Sequence, residues 1–183
     1  MLFATPLLQI GAAALIAYQG PRLRSTTVEL STAHSYKVLG TSQIRLGTAA
    51  GIEWGRRSRA LSLQGHPGIL AQETAYLRLM RSFRGDEGFN ALVAGVGSRW
   101  IGGGKHLKNI YFEAGTGVSI SDGVSLDVNS HFSFVSFVGA GFYFSSAPRA
   151  NRAGLRWIHV SNANLDPPNR GLNQFEVVVG VRY

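Results

Sequence analysis

The sequence has no cysteine, which excludes a disulfide framework and a thiolate metal site and leaves the redox compartment unreported. Charge is scarce too. Asp, Glu, Lys and Arg make up 15% of the 183 residues, against roughly a quarter in an ordinary soluble domain. Negative charge is the rarer kind: 10 acidic residues stand against 18 basic ones, a formal net charge of +8. Such an excess points to anionic partners, among which nucleic acid, phospholipid and lipopolysaccharide phosphates all qualify. Long hydrophobic runs are also missing beyond Tyr18. No later stretch approaches the ~20 apolar residues of a membrane helix, so any membrane passage has to be made by strands.

What the chain does hold is 23 glycines and 10% aromatic residues, spread through short apolar segments broken by turn residues. That composition favours an all-β protein. The opening "MLFATPLLQIGAAALIAYQG" carries no charged side chain and suits the apolar core of a secretory signal, although it lacks a basic start and a clean cleavage site. Residues 1–20 are therefore expected to be a signal peptide and residues 21–183 a single domain.

From Thr26 onward about eight segments alternate in character. In one, Ile110, Phe112, Ala114, Thr116, Val118 and Ile120 share a face, and Tyr111, Glu113, Gly115, Gly117 and Ser119 share the other. Ile44 to Trp54 and Phe175 to Tyr183 repeat the pattern. Across all eight, the polar face collects Glu29, Arg45, Glu53, Arg78, Arg99, Glu113, Arg156, Glu176 and Arg182. A soluble barrel would bury that face as its core, at prohibitive cost. If the apolar face meets lipid instead, the charges pair inside a narrow lumen, and only a closed barrel satisfies every backbone group in the bilayer. The expectation is an eight-stranded antiparallel transmembrane β-barrel.

Other features agree with that architecture. "GVG" at 95–97, "GTG" at 115–117 and "GAG" at 139–141 put pairs of glycines on the inward face, leaving room for Tyr111, Phe137 and the arginines. None has the third glycine or following helix of a dinucleotide fingerprint, and "GGGKH" at 102–106 lacks phosphate-loop spacing. Trp54, Trp100, Tyr143, Phe144 and Tyr183 fall near strand ends, where aromatic girdles belong. With a periplasmic N-terminus, the outer connections lie near Tyr36–Ser42, Arg81–Gly88, Asp122–Ser130 and Asn162–Gly171. Those near Arg56–Arg59, Gly102–Lys108 and Ser145–Asn151 face the periplasm.

The stretch "RWIHVSNANLDPPNRGLNQFEVVVGVRY" interrupts this pattern with polar residues. His159 and Ser161 are two apart, so both leave one face, that of Ala153, Leu155 and Trp157, with Cα atoms about 6.5 to 7 Å apart. A polar pair at the outer end of a lipid-facing stripe fits a nucleophile and its base, and it also fits a loop stem. His34, His66, His106 and His131 lie in separate segments without metal-ligand spacing, and Asp122, Asp127 and Asp166 form no evident oxygen cage. No cofactor is expected.

The whole segment, with its H-x-S-N-A core, "PN-x-G" and closing strand, resembles the C-terminal hairpin of the lipid A 3-O-deacylases, the PagL-type outer-membrane family. "NIYFEAGTGV" and "FSFVSFVGAGFYF" are similar to the strands that precede it there. The resemblance covers roughly Phe89 to Tyr183 and weakens before that to strand pattern alone. It implies a bacterial outer-membrane enzyme that hydrolyses the 3-position ester of lipid A, with lipopolysaccharide and outer-membrane lipids as partners and no nucleic acid. Ser161 would be the nucleophile and His159 the general base. Asn162, with backbone N–H groups around Ala163 and Asn164, would stabilise the oxyanion. Arg81, Arg84 and Arg170 would attract lipid A phosphates. Whether two barrels associate as a homodimer is left open.

In one respect the chain departs from the family pattern. Two positions after the glycine of "PN-x-G" the family has a catalytic glutamate, and this chain has Asn173. Asn173 shares the outward parity of Phe175, whereas the nearest glutamate, Glu176, points the other way. An asparagine can hold an imidazole in the right tautomer but supplies no charge. Two other readings stay open: a non-enzymatic barrel, structural or adhesive, with a decayed site, and a soluble basic β-protein, which lacks the aromatic platform that nucleic-acid binding uses.

Overall fold

The computed structural model describes residues 25–35, 46–58, 70–84, 87–102, 107, 109–124, 128–145, 151–167 and 169–182. The expected signal peptide, together with His66, His106 and Tyr183, lies outside them. Eight strands follow in chain order: β1 (Ser25–Ser35), β2 (Leu46–Ser58), β3 (Leu70–Arg84), β4 (Glu87–Ile101), β5 (Ile110–Ser121), β6 (Phe132–Tyr143), β7 (Arg152–Ser161) and β8 (Leu172–Arg182). Each pairs antiparallel with its neighbour, and β1 pairs with β8 to close the barrel. Closure leaves no unpaired edge, which a lipid-exposed sheet cannot tolerate.

Side-chain alternation decides which way each strand faces. Leu77, Leu79, Leu92, Phe112, Ile120, Leu155, Phe175 and Val177 are exposed on the outer wall, while Arg78, Arg99, Glu113, Arg156 and Glu176 are buried inside. That is the inverse of a soluble core. Strands of 10 to 15 residues are long enough for tilted passage through a bilayer, which takes roughly 9 to 11.

Two boundaries differ from the sequence reading. The outer connection expected near Arg81–Gly88 is mostly strand, because the ladder continues from Met80↔Ala91 to Arg84↔Glu87. At the other end β2 runs on through Ser58, with Arg56 opposite Glu73 and Arg57 opposite Gln72. Charged residues end a segment in a sequence scan, but at a barrel rim the backbone goes on pairing wherever its partner strand does. The connections at 122–131 and 162–171 fall where parity and turn residues put them.

The lumen has two storeys. In the one far from the β7–β8 connection, Arg99 donates two hydrogen bonds to Glu53, both at 2.8 Å, and reaches Glu113 at 2.7 Å. Arg152 bonds the same Glu53 at 3.0 Å, and Arg156 pairs with Glu113 at 2.9 Å and Glu176 at 3.5 Å. Arg78 meets both oxygens of Glu176 at 2.7 Å. Charges this deeply buried persist only when paired, since an uncompensated one costs several kcal/mol. Arg152 is an inward charge that the sequence reading did not include on the polar face, although it shares the parity of Arg156.

The glycine pairs make this packing possible. A Cβ on Gly117 would lie 2.8 Å from the Tyr76 hydroxyl, and one on Gly141 would lie 2.6 Å from that of Tyr111. Nearer the β7–β8 connection the lumen turns apolar, with Ala49, Met80, Ala91, Val93, Val135, Phe137 and Ile158 in one cluster. Side chains therefore fill the lumen over these two storeys.

Candidate functional site

At the end of β7 the wall changes from apolar to polar. His159 lies directly opposite Asn173 on β8, and Ser136 on β6 lies opposite His159 on the other side. Facing residues of one antiparallel rung put their side chains in contact. Here the His159 ring nitrogen Nδ1 is 2.9 Å from Asn173 Oδ1. An amide oxygen only accepts, so Nδ1 carries the proton in this contact, and in the neutral ring the lone pair is on Nε2. Glu176 is fully buried in the lumen beside Arg78 and Arg156, on the wrong face to reach the ring.

Two features fix the imidazole from other directions. Trp157, two residues earlier on the same face, lies with its ring centroid 6.2 Å from that of His159 at an interplanar angle of 30°. Gly171 has φ +74°, and a Cβ there would lie 2.7 Å from His159 Cε1. Glycine is required at this position for both conformation and clearance. It is the glycine of the "PN-x-G" motif.

Ser161 ends β7, and the chain turns at once. Ala163 and Asn164 have φ of 55° and 63°, and Leu165 N–H donates to Asn162 O at 3.1 Å. Two central residues of positive φ closed in this way are the signature of a type I′ turn. Left-handed backbone costs an L-residue about 1 to 2 kcal/mol, and local hydrogen bonds offset it. Asn162 Oδ1 accepts from Asn164 N–H at 2.9 Å, and Asn162 Nδ2 donates to Asp166 O at 2.6 Å. Asn162 is completely buried in doing so. The side chain of Asn162 and the N–H of Asn164, both expected to face an oxyanion, thus serve the turn itself.

The strained turn aims one backbone donor at the serine: Ala163 N–H lies 3.2 Å from Ser161 Oγ. A second donor comes from a residue to which the sequence reading gave no role. Asn169 Nδ2 is 2.9 Å from Ser161 Oγ, and its Oδ1 accepts from Asn162 N–H at 3.3 Å. Both donors leave the serine proton free to go elsewhere. Among the described residues no hydrogen bond links Ser161 to the His159 ring. The pair shares one face two residues apart on β7.

Below this polar spot the outer wall is greasy. Phe134 is opposite Ser161, Trp157 opposite Phe175, and Leu155 opposite Val177. Arg81 and Arg170 are exposed, and the side chain of Arg84 lies outside the described residues. Among the described residues no three His, Asp or Glu side chains are grouped to hold a metal ion.

Comparison with known proteins gives the family. A family model described as lipid A 3-O-deacylase (PagL) matches residues 42–182. The lipid A deacylase PagL of Bordetella bronchiseptica is 36% identical over 78 residues, covering 41% of this chain and 40% of that protein. The match thus spans about two-fifths of the relative's length. Among solved structures, the outer membrane enzyme PagL superposes with a TM-score of 0.63 at 22% identity, over 84% of this chain and 98% of that one. Neisserial surface protein A superposes at 0.51 and 15% identity, over 86% and 94%. Both likenesses are of fold. With the family model covering most of the barrel, the chain belongs to the lipid A 3-O-deacylase (PagL) family and is an outer-membrane β-barrel.

Proposed function

We propose that this barrel is a serine esterase that removes the 3-position acyl chain of lipid A in the outer leaflet. The observation that carries the reading is the cluster at the end of β7: an imidazole oriented through Nδ1 by Asn173, and a serine on the same face whose oxygen already receives two donors. Ser161 Oγ attacks the ester carbonyl while His159 Nε2 takes its proton. Ala163 N–H and Asn169 Nδ2, gathered around Oγ, are next to the position where negative charge develops on the carbonyl oxygen. His159 then returns the proton to the departing sugar hydroxyl, leaving an acyl-serine. Water, deprotonated by the same imidazole, releases the fatty acid and restores Ser161.

The setting suits a lipid substrate. The site opens onto the outer wall, and Trp157, Leu155, Phe175 and Val177 continue below it, so the acyl chain reaches the nucleophile without leaving the bilayer. Arg81 and Arg170 would meet the phosphates in the headgroup layer, and the ester is held between these two levels. A bound lipid A would therefore be aligned by its own amphipathic character.

Asn173 makes the site weaker than a charged triad. It sets the tautomer of His159 but does nothing to stabilise the imidazolium formed during the reaction, a role whose loss has cost about four orders of magnitude in a serine protease. The alternative reading is a barrel that keeps the fold without the chemistry. Mass spectrometry of lipid A from cells producing the protein decides between them. Loss of one 3-linked acyl chain, abolished by Ser161→Ala, is the expected result. Unchanged lipid A, or deacylation that survives Ser161→Ala, would reject the reading.

A further inference from the structure

Above the end of β7 its two neighbours meet directly. Val128, four residues before β6, forms an isolated antiparallel bridge with Asn169, three residues before β8. Since β7 lies between β6 and β8 and stops at Ser161, this bridge roofs the strand end that carries the serine. Asn162, a loop residue whose N–H meets Asn169, is completely buried beside it.

The bridge is held from both sides. Inward, Val128 is 7% exposed and, with Val160 and Leu172, lines a small cavity at the top of the lumen, ≈ 30 Å³ in volume. Outward, Asn129 Nδ2 donates to Pro167 O at 3.1 Å. The base of the β5–β6 connection is anchored as well. Ser121 N–H donates to His131 O at 2.8 Å, and His131 Nδ1 lies 2.8 Å from Ser121 O. At the start of the connection Asn90 donates to both carboxylate oxygens of Asp122, at 2.6 and 2.7 Å, which holds that carboxyl below its ordinary range.

The bridge leads to one residue, Asn169. Asn169 is bridged by Val128 along its backbone, and its amide spans Asn162 N–H and Ser161 Oγ. We infer that the Val128–Asn129 segment is a positioning element for the esterase, setting the Asn169 amide, and through it the Ser161 hydroxyl. The inference rests on the serine esterase reading given above. A segment that only stabilised the barrel would act on folding. This one acts on the orientation of a donor, and so on turnover rather than on lipid binding.

The test uses the folded, full-length protein in detergent micelles, with lipid A mixed micelles as substrate and a fluorophosphonate probe reporting serine reactivity. Asn129→Ala removes one hydrogen bond from the tether and is expected to lower kcat and the labelling rate roughly fivefold with little change in KM. Asn129→Gln, which keeps an amide donor, should recover most of the loss. Asn129→Ala should have no further effect in an Asn169→Ala background, because both changes act through one amide. The heat-modifiable gel shift of a folded barrel should be the same for all. Wild-type turnover in Asn129→Ala, or a full multiplicative loss in the double variant, overturns the positioning role. Ser161→Ala separates the two readings. If that variant stops labelling while Asn129→Ala turns over normally, only the positioning role falls; labelling that survives Ser161→Ala overturns both.

Discussion

Replacing Asn173 by aspartate keeps the heavy-atom shape of the side chain at the candidate site. The oxygen stays near its 2.9 Å distance from His159 Nδ1, while the amide NH2 donor gives way to a second acceptor oxygen and a negative charge. In the transition state that charge faces an imidazolium. Two opposite charges about 4 Å apart interact by roughly 4 kcal/mol at an effective dielectric of about 20, which corresponds to about 10³ in rate. Against this stands desolvation, because Asn173 is completely buried and an ionised carboxylate there loses its water. That penalty is itself about a few kcal/mol, so the net gain expected is roughly 10- to 100-fold in kcat. It should be largest at mildly alkaline pH, where the buried carboxylate is fully ionised. The assay is release of fatty acid from lipid A mixed micelles, with the folded fraction of each variant measured by its gel shift. Asn173→Leu is the counterpart. It leaves Nδ1 without its acceptor and should fall well below the native rate. A folded Asn173→Asp protein no faster than the native one at any pH, together with an undiminished Asn173→Leu, would refute the idea that Asn173 orients the base.

Two further outcomes follow from geometry elsewhere. Gly171→Ala places a methyl group 2.7 Å from His159 Cε1 on a backbone of φ +74°. The strain costs about 1 to 2 kcal/mol, and displacing the ring should lower kcat by roughly 10²-fold, readable as slow turnover by a barrel that still folds. Glu176→Gln strips the charge that Arg78 and Arg156 share in the lumen. Arg156 keeps Glu113 at 2.9 Å, while Arg78 loses the carboxylate whose two oxygens it bonds. Breaking a buried pair in this way should cost about 3 to 5 kcal/mol, seen as a lower urea midpoint for barrel unfolding. Deacylation by the protein that remains folded should be unaffected, since Glu176 faces away from His159.

Much of this was legible in the chain because the period of a strand is a local property. Alternation over Ile110–Ser121 is enough to say that Phe112 faces lipid and Glu113 does not, and the same parity places His159, Ser161 and Asn173 on one surface with Glu176 behind it. The scarcity of charge, and the placing of that charge on the face opposite the apolar residues, argued against a soluble core. The motif glycine at 171 was visible as part of a pattern, but the clearance it gives the imidazole was not.

What only the tertiary structure decided are relations between distant segments and the shape of one turn. Parity says which face a residue occupies but not which rung, so the pairing of His159 with Asn173 needed the register of β7 and β8. Arg152 finds Glu53 across the lumen, 99 residues away in sequence. Asn169 reaches Ser161 because Ala163 and Asn164 take left-handed backbone and because Val128 bridges over the strand end. The physical reason is the same in each case. Hydrophobic alternation is set residue by residue against lipid, and a sequence therefore records it. A hydrogen bond between two loops depends on how barrel closure brings their ends together, and no single segment carries that information.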